Sequence, residues 1–336
     1  MTINVQVQLA RQRDGVPEPD DFRLAEGPIP KAKDGQILVR TICLSLDPFI
    51  RKAMRGDHYG YNILAAGDVV YGRAVAEIIQ SRNDAYSPGE HVVAETGWQQ
   101  YASITEKEVV QKINPSSAPL STAVGILGMP GLTAWASVMR LGRPGLGATA
   151  VVSAAAGPVG GTFGQLAKLR GARVVGLAGS NEKCEVVVKN YGFSACVNYK
   201  NKDWEEKLKA ACPNGVDVYH DNSGGSVLQA MAAHLNLYST VVLCGRPGDY
   251  NTPDFDGISL GPFMGKRSKL LGLVVYDYEK ELDTYVSFAS EILRKRRLTY
   301  KEDSVTGIEN TPTQFVRLMK GETVGKAIVH VAAEKI

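Results

Sequence analysis

The stretch from Thr149 to Lys183 decides the fold. Thr149-Ala150-Val151-Val152-Ser153-Ala154 is an apolar, β-branched run, and Ala155-Ala156-Gly157-Pro158-Val159-Gly160-Gly161 is a glycine-rich turn. Thr162-Phe163-Gly164-Gln165-Leu166-Ala167-Lys168-Leu169-Arg170 then has the spacing of an amphipathic helix. Strand, turn and helix in this order form a phosphate cradle. The glycines let the backbone approach a pyrophosphate, and the helix start offers free N–H groups and a positive dipole end. Arg173-Val174-Val175-Gly176-Leu177-Ala178 reads as the next strand. A ribose with a free 2′-hydroxyl calls for an Asp or Glu about 20 residues past the turn. This chain has Gly179-Ser180-Asn181-Glu182-Lys183 there. A small hydroxyl residue followed by a lysine suits a 2′-phosphate, which a carboxylate would repel and an ammonium would pair with. The reading is therefore NADPH rather than NADH. The first glycine of the usual fingerprint is Ala155, so the turn by itself would also fit an ordinary strand-to-helix connection; the strand-turn-helix-strand context favours the cofactor.

Working outward, residues 1 to about 125 read as β-rich. Ile37 to Leu44, Val69 to Ile79 and His91 to Ala94 are short β-branched runs, bounded by turn signals at Asp34-Gly35, Ala66-Gly67-Asp68 and Ser87-Pro88-Gly89. From about residue 127 strands and helices alternate, with further strands expected at Ala195 to Tyr199, Asp217 to His220, Ser239 to Cys244 and Leu270 to Tyr276. Together with the first two they predict a six-stranded, doubly wound parallel sheet, an α/β fold whose ligand lies beyond the carboxyl ends of the strands. The tail predicts a helix from Thr313 to Lys320, stopped by Gly321, and a strand from Ala327 to Val331 that could return to the first domain.

A length of 336 residues implies about two domains. The net charge of +3 comes from 38 basic and 35 acidic residues that are spread along the chain, so no nucleic-acid partner is implied. The basic run Arg294-Lys295-Arg296-Arg297 ends a helical pattern, Leu282 to Leu293, where cations oppose the negative dipole end. The first ten residues alternate like a strand, and no apolar run approaches the ~20 residues that span a bilayer, so no membrane partner is expected. Five scattered cysteines, Cys43, Cys184, Cys196, Cys212 and Cys244, fit a reducing, cytoplasmic compartment. Neither they nor the five single histidines have the spacing of a metal site, so no metal is expected.

Several motifs carry a family resemblance. Leu46-Asp47-Pro48-Phe49-Ile50-Arg51, Gly128-Met129-Pro130-Gly131-Leu132-Thr133-Ala134, the Ala154 to Gly161 turn, Gly179 to Lys183, Asp221-Asn222-Ser223-Gly224-Gly225 and Lys320-Gly321-Glu322-Thr323-Val324-Gly325-Lys326 occur in order. Together they resemble the zinc-independent medium-chain dehydrogenase/reductases, in the branch of the prostaglandin reductases, leukotriene dehydrogenases, curcumin reductases and alkenal double-bond reductases. The resemblance implies a discontinuous GroES-like catalytic domain, residues 1–127 and 308–336, and a Rossmann NADPH-binding domain, residues 128–307. It also implies reduction of a C=C bond conjugated to a carbonyl, so that the partner is a small enone or enal, and a homodimer.

Carried over to this chain, Lys183 and Tyr199 grip the adenosine 2′-phosphate. Gly179, Ser180 and the turn residues Ala156, Gly157, Pro158, Val159 and Gly160 complete the phosphate contacts. Met129, Thr133, Asn222, Cys244, Gly245, Arg246 and the strand end Leu273-Val274-Val275 match further cofactor residues. Tyr250 falls on the tyrosine that the family associates with catalysis. Three departures stand out: Arg246-Pro247-Gly248-Asp249 in place of small polar residues, Arg73 in place of a neutral residue, and Thr323 where relatives often have a cofactor-binding Asn.

Hydride addition to the β-carbon would leave an enolate, and the Tyr250 hydroxyl or a ribose hydroxyl is a candidate donor to its oxygen. Tyr250 could instead only cover the cofactor. Tyr59, Tyr61, Arg51 and Arg73 are candidate substrate-pocket residues; Arg51 could equally pair with Asp47, and the tyrosines belong to a glycine-rich loop. Quinone reduction, or a non-enzymatic, crystallin-like role as an NADPH-binding protein, would use the same nucleotide motifs.

Overall fold

The computed structural model describes residues 3–247, 250–251 and 257–333. Gly248 and Asp249, in the loop singled out above, and the first two residues of the expected N-terminal strand lie outside the described residues.

The chain divides into two compact units, residues 1–125 with 302–336, and residues 126–301. In the first, β1 (Ile3–Leu9) pairs antiparallel with β2 (Phe22–Pro28). Then come β3 (Gln36–Ser45), the short helix α1 (Phe49–Ala53), β4 (Arg73–Ser81), β5 (His91–Glu95), β6 (Tyr101–Thr105) and β7 (Val109–Ile113).

The second unit runs α2 (Met129–Ala136), β8 (Thr149–Val152), α3 (Pro158–Leu169), β9 (Arg173–Ala178), α4 (Asn181–Lys189) and β10 (Ala195–Asn198). It continues through α5 (Trp204–Ala211), β11 (Val216–Asp221), α6 (Gly225–His234), β12 (Leu235–Leu243), α7 (Gly261–Lys266), β13 (Lys269–Gly272) and α8 (Leu282–Arg294). The chain then gives β14 (Glu302–Thr306), α9 (Thr311–Met319) and β15 (Lys326–His330) to the first unit.

The second unit is a parallel sheet in the order β10-β9-β8-β11-β12-β13. This is the doubly wound Rossmann topology: the winding reverses between β8 and β11, so a ligand crevice opens beyond the carboxyl ends of those two strands. Strands covered on both faces should be continuously apolar, and β8 is buried at every residue. Its core gathers Val151, Val175, Leu177, Val197, Leu208, Tyr219, Met231, Val241 and Phe263.

The first unit is a mixed sheet, β14-β15-β3-β4-β5-β7, with β6 also pairing with β3. The terminal strand β15 joins β3 antiparallel, Val329 opposite Leu44. Its core includes Trp98, Phe22 and Phe315, with ring centroids 5.2 to 6.1 Å apart. Such pairs contribute ~1 kcal/mol each beyond their burial, and they fasten β2 to α9.

The differences from the sequence reading have local causes. The strand expected from Val69 begins only at Arg73, because the segment before it pairs elsewhere: the Val70 amide donates to the Val7 carbonyl at 3.1 Å and the Val70 carbonyl accepts from the Trp98 amide at 2.8 Å. The strand expected to reach Tyr276 ends at Gly272, and Val275–Glu281 forms a 3-10 turn that leads into α8. The strand β12 starts at Leu235, immediately after α6, four residues before the expected Ser239. The edge strand β14, largely polar, carries no apolar alternation that would have announced it.

Candidate functional site

The glycine-rich turn is built without a glycine at its tightest point. Ala154 takes the left-handed conformation, φ 50°, that a glycine would adopt more cheaply, at a cost of ~1 kcal/mol. Ala155, in place of the first fingerprint glycine, is accommodated from the far side: its Cβ stands 2.7 Å from where a Cβ on Gly176 would be, so the glycine of β9 leaves the room. The third position does need a glycine, since a Cβ at Gly160 would meet the carbonyl of Ala154 and lie 2.8 Å from the α-carbon of Ala155. The Gly157 amide donates to the Ala154 carbonyl at 2.9 Å and Pro158 occupies the first helical position. The first-turn amides of Val159 and Gly160 have no carbonyl one turn earlier within the helix, a geometry that suits an anion.

Under this turn lies a buried polar network that the sequence reading missed apart from Asn222. Asp221 is fully buried at the end of β11. It accepts from Tyr219 Oη at 2.7 Å, from the amide of Gly224 at 3.0 Å and from Ser153 Oγ at 3.2 Å. Burial pushes its carboxyl above the ordinary value, and these donors pull it back. Its main-chain carbonyl accepts the Cys244 amide at 2.9 Å, so the network fixes where the β12 loop departs.

Asn222 donates through Nδ2 to the Ser153 carbonyl at 3.0 Å, so its Oδ1 faces His220 Nε2 at 3.1 Å and must accept a proton from it. Ser137 Oγ then donates to Nδ1 at 2.7 Å. Burial pushes His220 down to about 4, so it is neutral, in the Nε2–H form that this chain of bonds requires. The ring stacks on Phe163 of α3 at 4.8 Å. Asn222 is thereby oriented at the switch point by Ser153 and His220, with Ser137 behind the histidine.

Of the residues expected at the 2′-phosphate, Gly179 and Tyr199 come together at the ends of β9 and β10. The Tyr199 amide donates to the Ala178 carbonyl at 3.1 Å, and a Cβ on Gly179 would be 3.2 Å from Tyr199 Oη. Ser180 caps α4, its Oγ accepting from the Lys183 amide at 3.2 Å, which sets the lysine in the first turn of that helix. The structure adds Lys200, whose Cε lies 3.5 Å from the same Gly179 position. Its signal in the sequence was its place next to Tyr199.

Other expected cofactor residues are spread over the unit. Met129 opens α2, and Thr133 is buried with its Oγ1 spent on the Met129 carbonyl at 2.8 Å. Leu273 donates to the Leu243 carbonyl at 2.8 Å, holding the Leu273-Val274-Val275 segment at the end of the sheet. Burial and the Asp221 carboxylate push the Cys244 thiol up to about 12. Gly245 follows it, and Arg246 is exposed. Tyr250 donates its amide to the Pro247 carbonyl at 3.2 Å, and its hydroxyl lies 3.8 Å from a Cβ position on Gly245.

In the first unit, Arg73 is mostly buried and donates from Nε to Glu95 Oε1 at 2.6 Å, and Tyr61 Oη donates to the same carboxylate at 3.2 Å. Tyr61 packs against Tyr71, His58 and Phe49, at 4.7 to 6.0 Å between centroids. Burial, then Lys52 and Arg73, lower the His58 pKa. Tyr59 stands out from this cluster, 67% exposed.

Arg51 sits differently. It is 2% exposed and donates to the main-chain carbonyls of Arg13 and Gly15, and burial with Arg55 pushes it down to about 10. Asp47 accepts from Lys326 Nζ at 2.9 Å, both side chains buried, and from Ser45. This pair joins the Leu46–Arg51 and Lys320–Lys326 motifs, which sequence alone only showed to recur in order. Thr323 is buried within the second of them, beside Val324, whose amide donates to Asp303 Oδ2 at 3.0 Å.

Among the described residues no group of three or more His, Cys, Asp or Glu is placed to hold a metal ion, and no helix is long and apolar enough to cross a membrane.

Comparison with known proteins places this geometry. Residues 5–113 match the family described as the N-terminal domain of oxidoreductase, and residues 158–291 the family described as zinc-binding dehydrogenase. The NADPH-dependent curcumin reductase of Escherichia coli is 35% identical over 97% of this chain and 96% of its own length. The NADP-dependent 2-alkenal reductase of Nicotiana tabacum is 35% identical over 98% of each. The crystal structure of CurA from Vibrio vulnificus in complex with NADPH superposes with a TM-score of 0.91, at 33% identity over 98% of this chain and 100% of that one. The chain belongs to the zinc-independent medium-chain dehydrogenase/reductases, in the branch that holds the curcumin, alkenal and prostaglandin reductases.

Proposed function

We propose that this protein is an NADPH-dependent reductase of the C=C bond of small α,β-unsaturated ketones and aldehydes. The observation that carries the reading is the full-length kinship with curcumin and alkenal reductases, joined to a turn and a strand edge that fit NADPH. The amides of Val159 and Gly160 take the pyrophosphate, with Ala156, Gly157 and Pro158 shaping the approach. Lys183, Tyr199, Ser180 and Gly179 take the 2′-phosphate, with Lys200 as a second cation. Asn222, Cys244, Gly245, Arg246, the Leu273–Val275 segment, Met129, Thr133 and Thr323 are the remaining cofactor contacts in this reading. When bound, NADPH supplies the hydride that adds to the β-carbon.

Charge then gathers on the carbonyl oxygen, and the Tyr250 hydroxyl donates to it. One preorganised donor of this kind is worth ~10²-fold in rate. The α-carbon takes its proton from Tyr250 or from water. Tyr59 and Tyr61 contact the flat conjugated substrate. Tyr61 is oriented by Glu95, which Arg73 holds in place, so Arg73 acts on the substrate through the Glu95 carboxylate. The homodimer of the family is the expected assembly.

An NADPH-consumption screen across enals, enones, quinones and alcohols tests the proposal. Turnover of enones and enals with saturated products supports it; turnover of quinones or alcohols alone rejects it.

A further inference from the structure

We infer that, with Asn222 read as a cofactor contact, Ser137 and His220 are positioning residues for the nicotinamide half of NADPH, acting through the side-chain amide of Asn222. All three belong to the second unit. His220 lies on β11 and Asn222 just past its end, and their side chains meet at 3.1 Å. Ser137 follows α2, where the helical turn widens: its carbonyl accepts from the amide of Gly142, five residues on, at 2.7 Å. Single turns of this width are frequent at functional sites. Gly142 seats the turn against the strand that carries His220, because a Cβ there would stand 2.8 Å from Val218 Cγ1. From this turn Ser137 Oγ reaches His220 Nδ1 at 2.7 Å.

The direction of every bond follows from the group at the far end. The Ser153 carbonyl can only accept, so the nitrogen of the Asn222 amide must face it, at 3.0 Å. The main-chain N–H of Asn222 also donates to Ser153 Oγ at 2.8 Å. Ser153 follows β8, so these two bonds tie the chain beyond β8 to the chain beyond β11, at the switch point. With Nδ2 committed to Ser153, Oδ1 faces His220 and accepts from it. Nε2 therefore carries the imidazole proton, Nδ1 offers a lone pair, and Ser137 donates to it. A flipped Asn222 amide would set its oxygen against the Ser153 carbonyl and its nitrogen against the Nε2–H.

Ser137, Ser153 and His220 are fully buried, whereas Asn222 is only half-buried. The first three thus act on a ligand through Asn222. What Asn222 retains for that ligand is one Nδ2 hydrogen and one Oδ1 lone pair. A donor beside an acceptor is matched by a ribose hydroxyl or by a carboxamide, each of which both gives and takes a hydrogen bond, and the nicotinamide half of the cofactor carries both. An amide free to flip presents the wrong atom in one of its two orientations. The chain from Ser137 removes that orientation before the cofactor arrives, and such preorganisation lowers the cost of binding.

The test measures Kd by calorimetry for NADPH, NADH and adenosine 2′,5′-bisphosphate, which lacks the nicotinamide half, with the full-length wild type, His220→Phe and His220→Gln. Phenylalanine keeps a ring against Phe163 and removes the donor to Asn222; glutamine restores a donor. The expected result is that His220→Phe binds both dinucleotides roughly tenfold more weakly and the bisphosphate as tightly as the wild type, and that His220→Gln recovers most of the loss. Unchanged dinucleotide binding by His220→Phe, or an equal loss for the bisphosphate, overturns the inference. A measurement on the wild type needs no variant: nitrogen NMR of the labelled imidazoles should show His220 in the Nε2–H tautomer, and the Nδ1–H tautomer overturns the inference as well. The wild-type affinities report on the cofactor reading and the variants on the positioning role, and neither depends on turnover, so failure here is distinct from failure of the proposed reaction.

Discussion

The Tyr199 hydroxyl lies against the α-carbon of Gly179, close enough that a Cβ there would stand 3.2 Å from it. The glycine that follows β9 thus gives the tyrosine its place, and the α4 cap at Ser180 fixes the Lys183 amide in the first turn of the next helix.

From this edge comes the first prediction. Lys183→Ala should weaken NADPH binding by roughly 1.5 to 3 kcal/mol and leave NADH nearly unchanged, since only the former carries the phosphate that the ammonium meets. Lys200→Ala should act in the same direction and less, because its side chain is exposed. Fluorescence titration with both cofactors measures this, and equal losses for the two would remove the 2′-phosphate assignment.

A second prediction concerns Gly160. A Cβ there meets main chain on the turn, not the tip of a flexible side chain, so the cradle itself must shift. Gly160→Ala should lower stability by about 1 to 3 kcal/mol and weaken NADPH and NADH alike. Urea unfolding and cofactor titration separate the two effects; a variant that binds both cofactors normally would contradict the role given to the turn.

The third prediction is a pH dependence. His220 titrates at 6.5 when exposed and at about 4 when folded, so between those values the unfolded chain binds more protons. Stability from this group is present above pH 6.5 and is lost as the pH falls toward 4, by up to about 3 kcal/mol. His58 and His234, also lowered by burial, act in the same direction. Asp221, raised by burial, acts in the opposite one, because its folded form takes up its proton at higher pH than the unfolded chain does. His220→Gln keeps a donor for Asn222 and removes the titration, so its thermal midpoint should fall less steeply from pH 7 to 4.5 than the wild-type midpoint. Parallel curves would show that His220 does not titrate as described.

Much of this was legible in the sequence, for physical reasons that also mark where legibility ended. The strand-turn-helix at Thr149 to Arg170 was readable because local spacing and turn chemistry act within a few residues. Lys183 and Tyr199 were placed by motif; the structure puts Tyr199 just past β10, against Gly179, and Lys183 in the first turn of α4. Asp221 and His220 were not singled out, because a buried network takes its meaning from Ser137, Ser153 and Tyr219, which are distant in sequence or point to no chemistry alone. Arg51 shows the converse: its charge suggested a pocket, whereas its guanidinium is buried on carbonyls of a segment about 36 residues earlier.

The fourth prediction concerns Tyr250→Phe. It keeps the ring near Gly245 and removes only the donor, so kcat should fall on the order of 10- to 1000-fold while NADPH affinity changes little. An unaltered kcat would leave the reaction in place and strip Tyr250 of its role, as would be expected for a quinone acceptor that needs no proton at carbon.

The central claim, hydride delivery to the β-carbon, is tested most directly by tracing the hydride itself. NADPH deuterated at the transferable position of the nicotinamide is incubated with the protein and an acyclic enone, and the product is examined by NMR. The account predicts a saturated ketone carrying deuterium at its β-carbon. An allylic alcohol with deuterium on the carbinol carbon would contradict it.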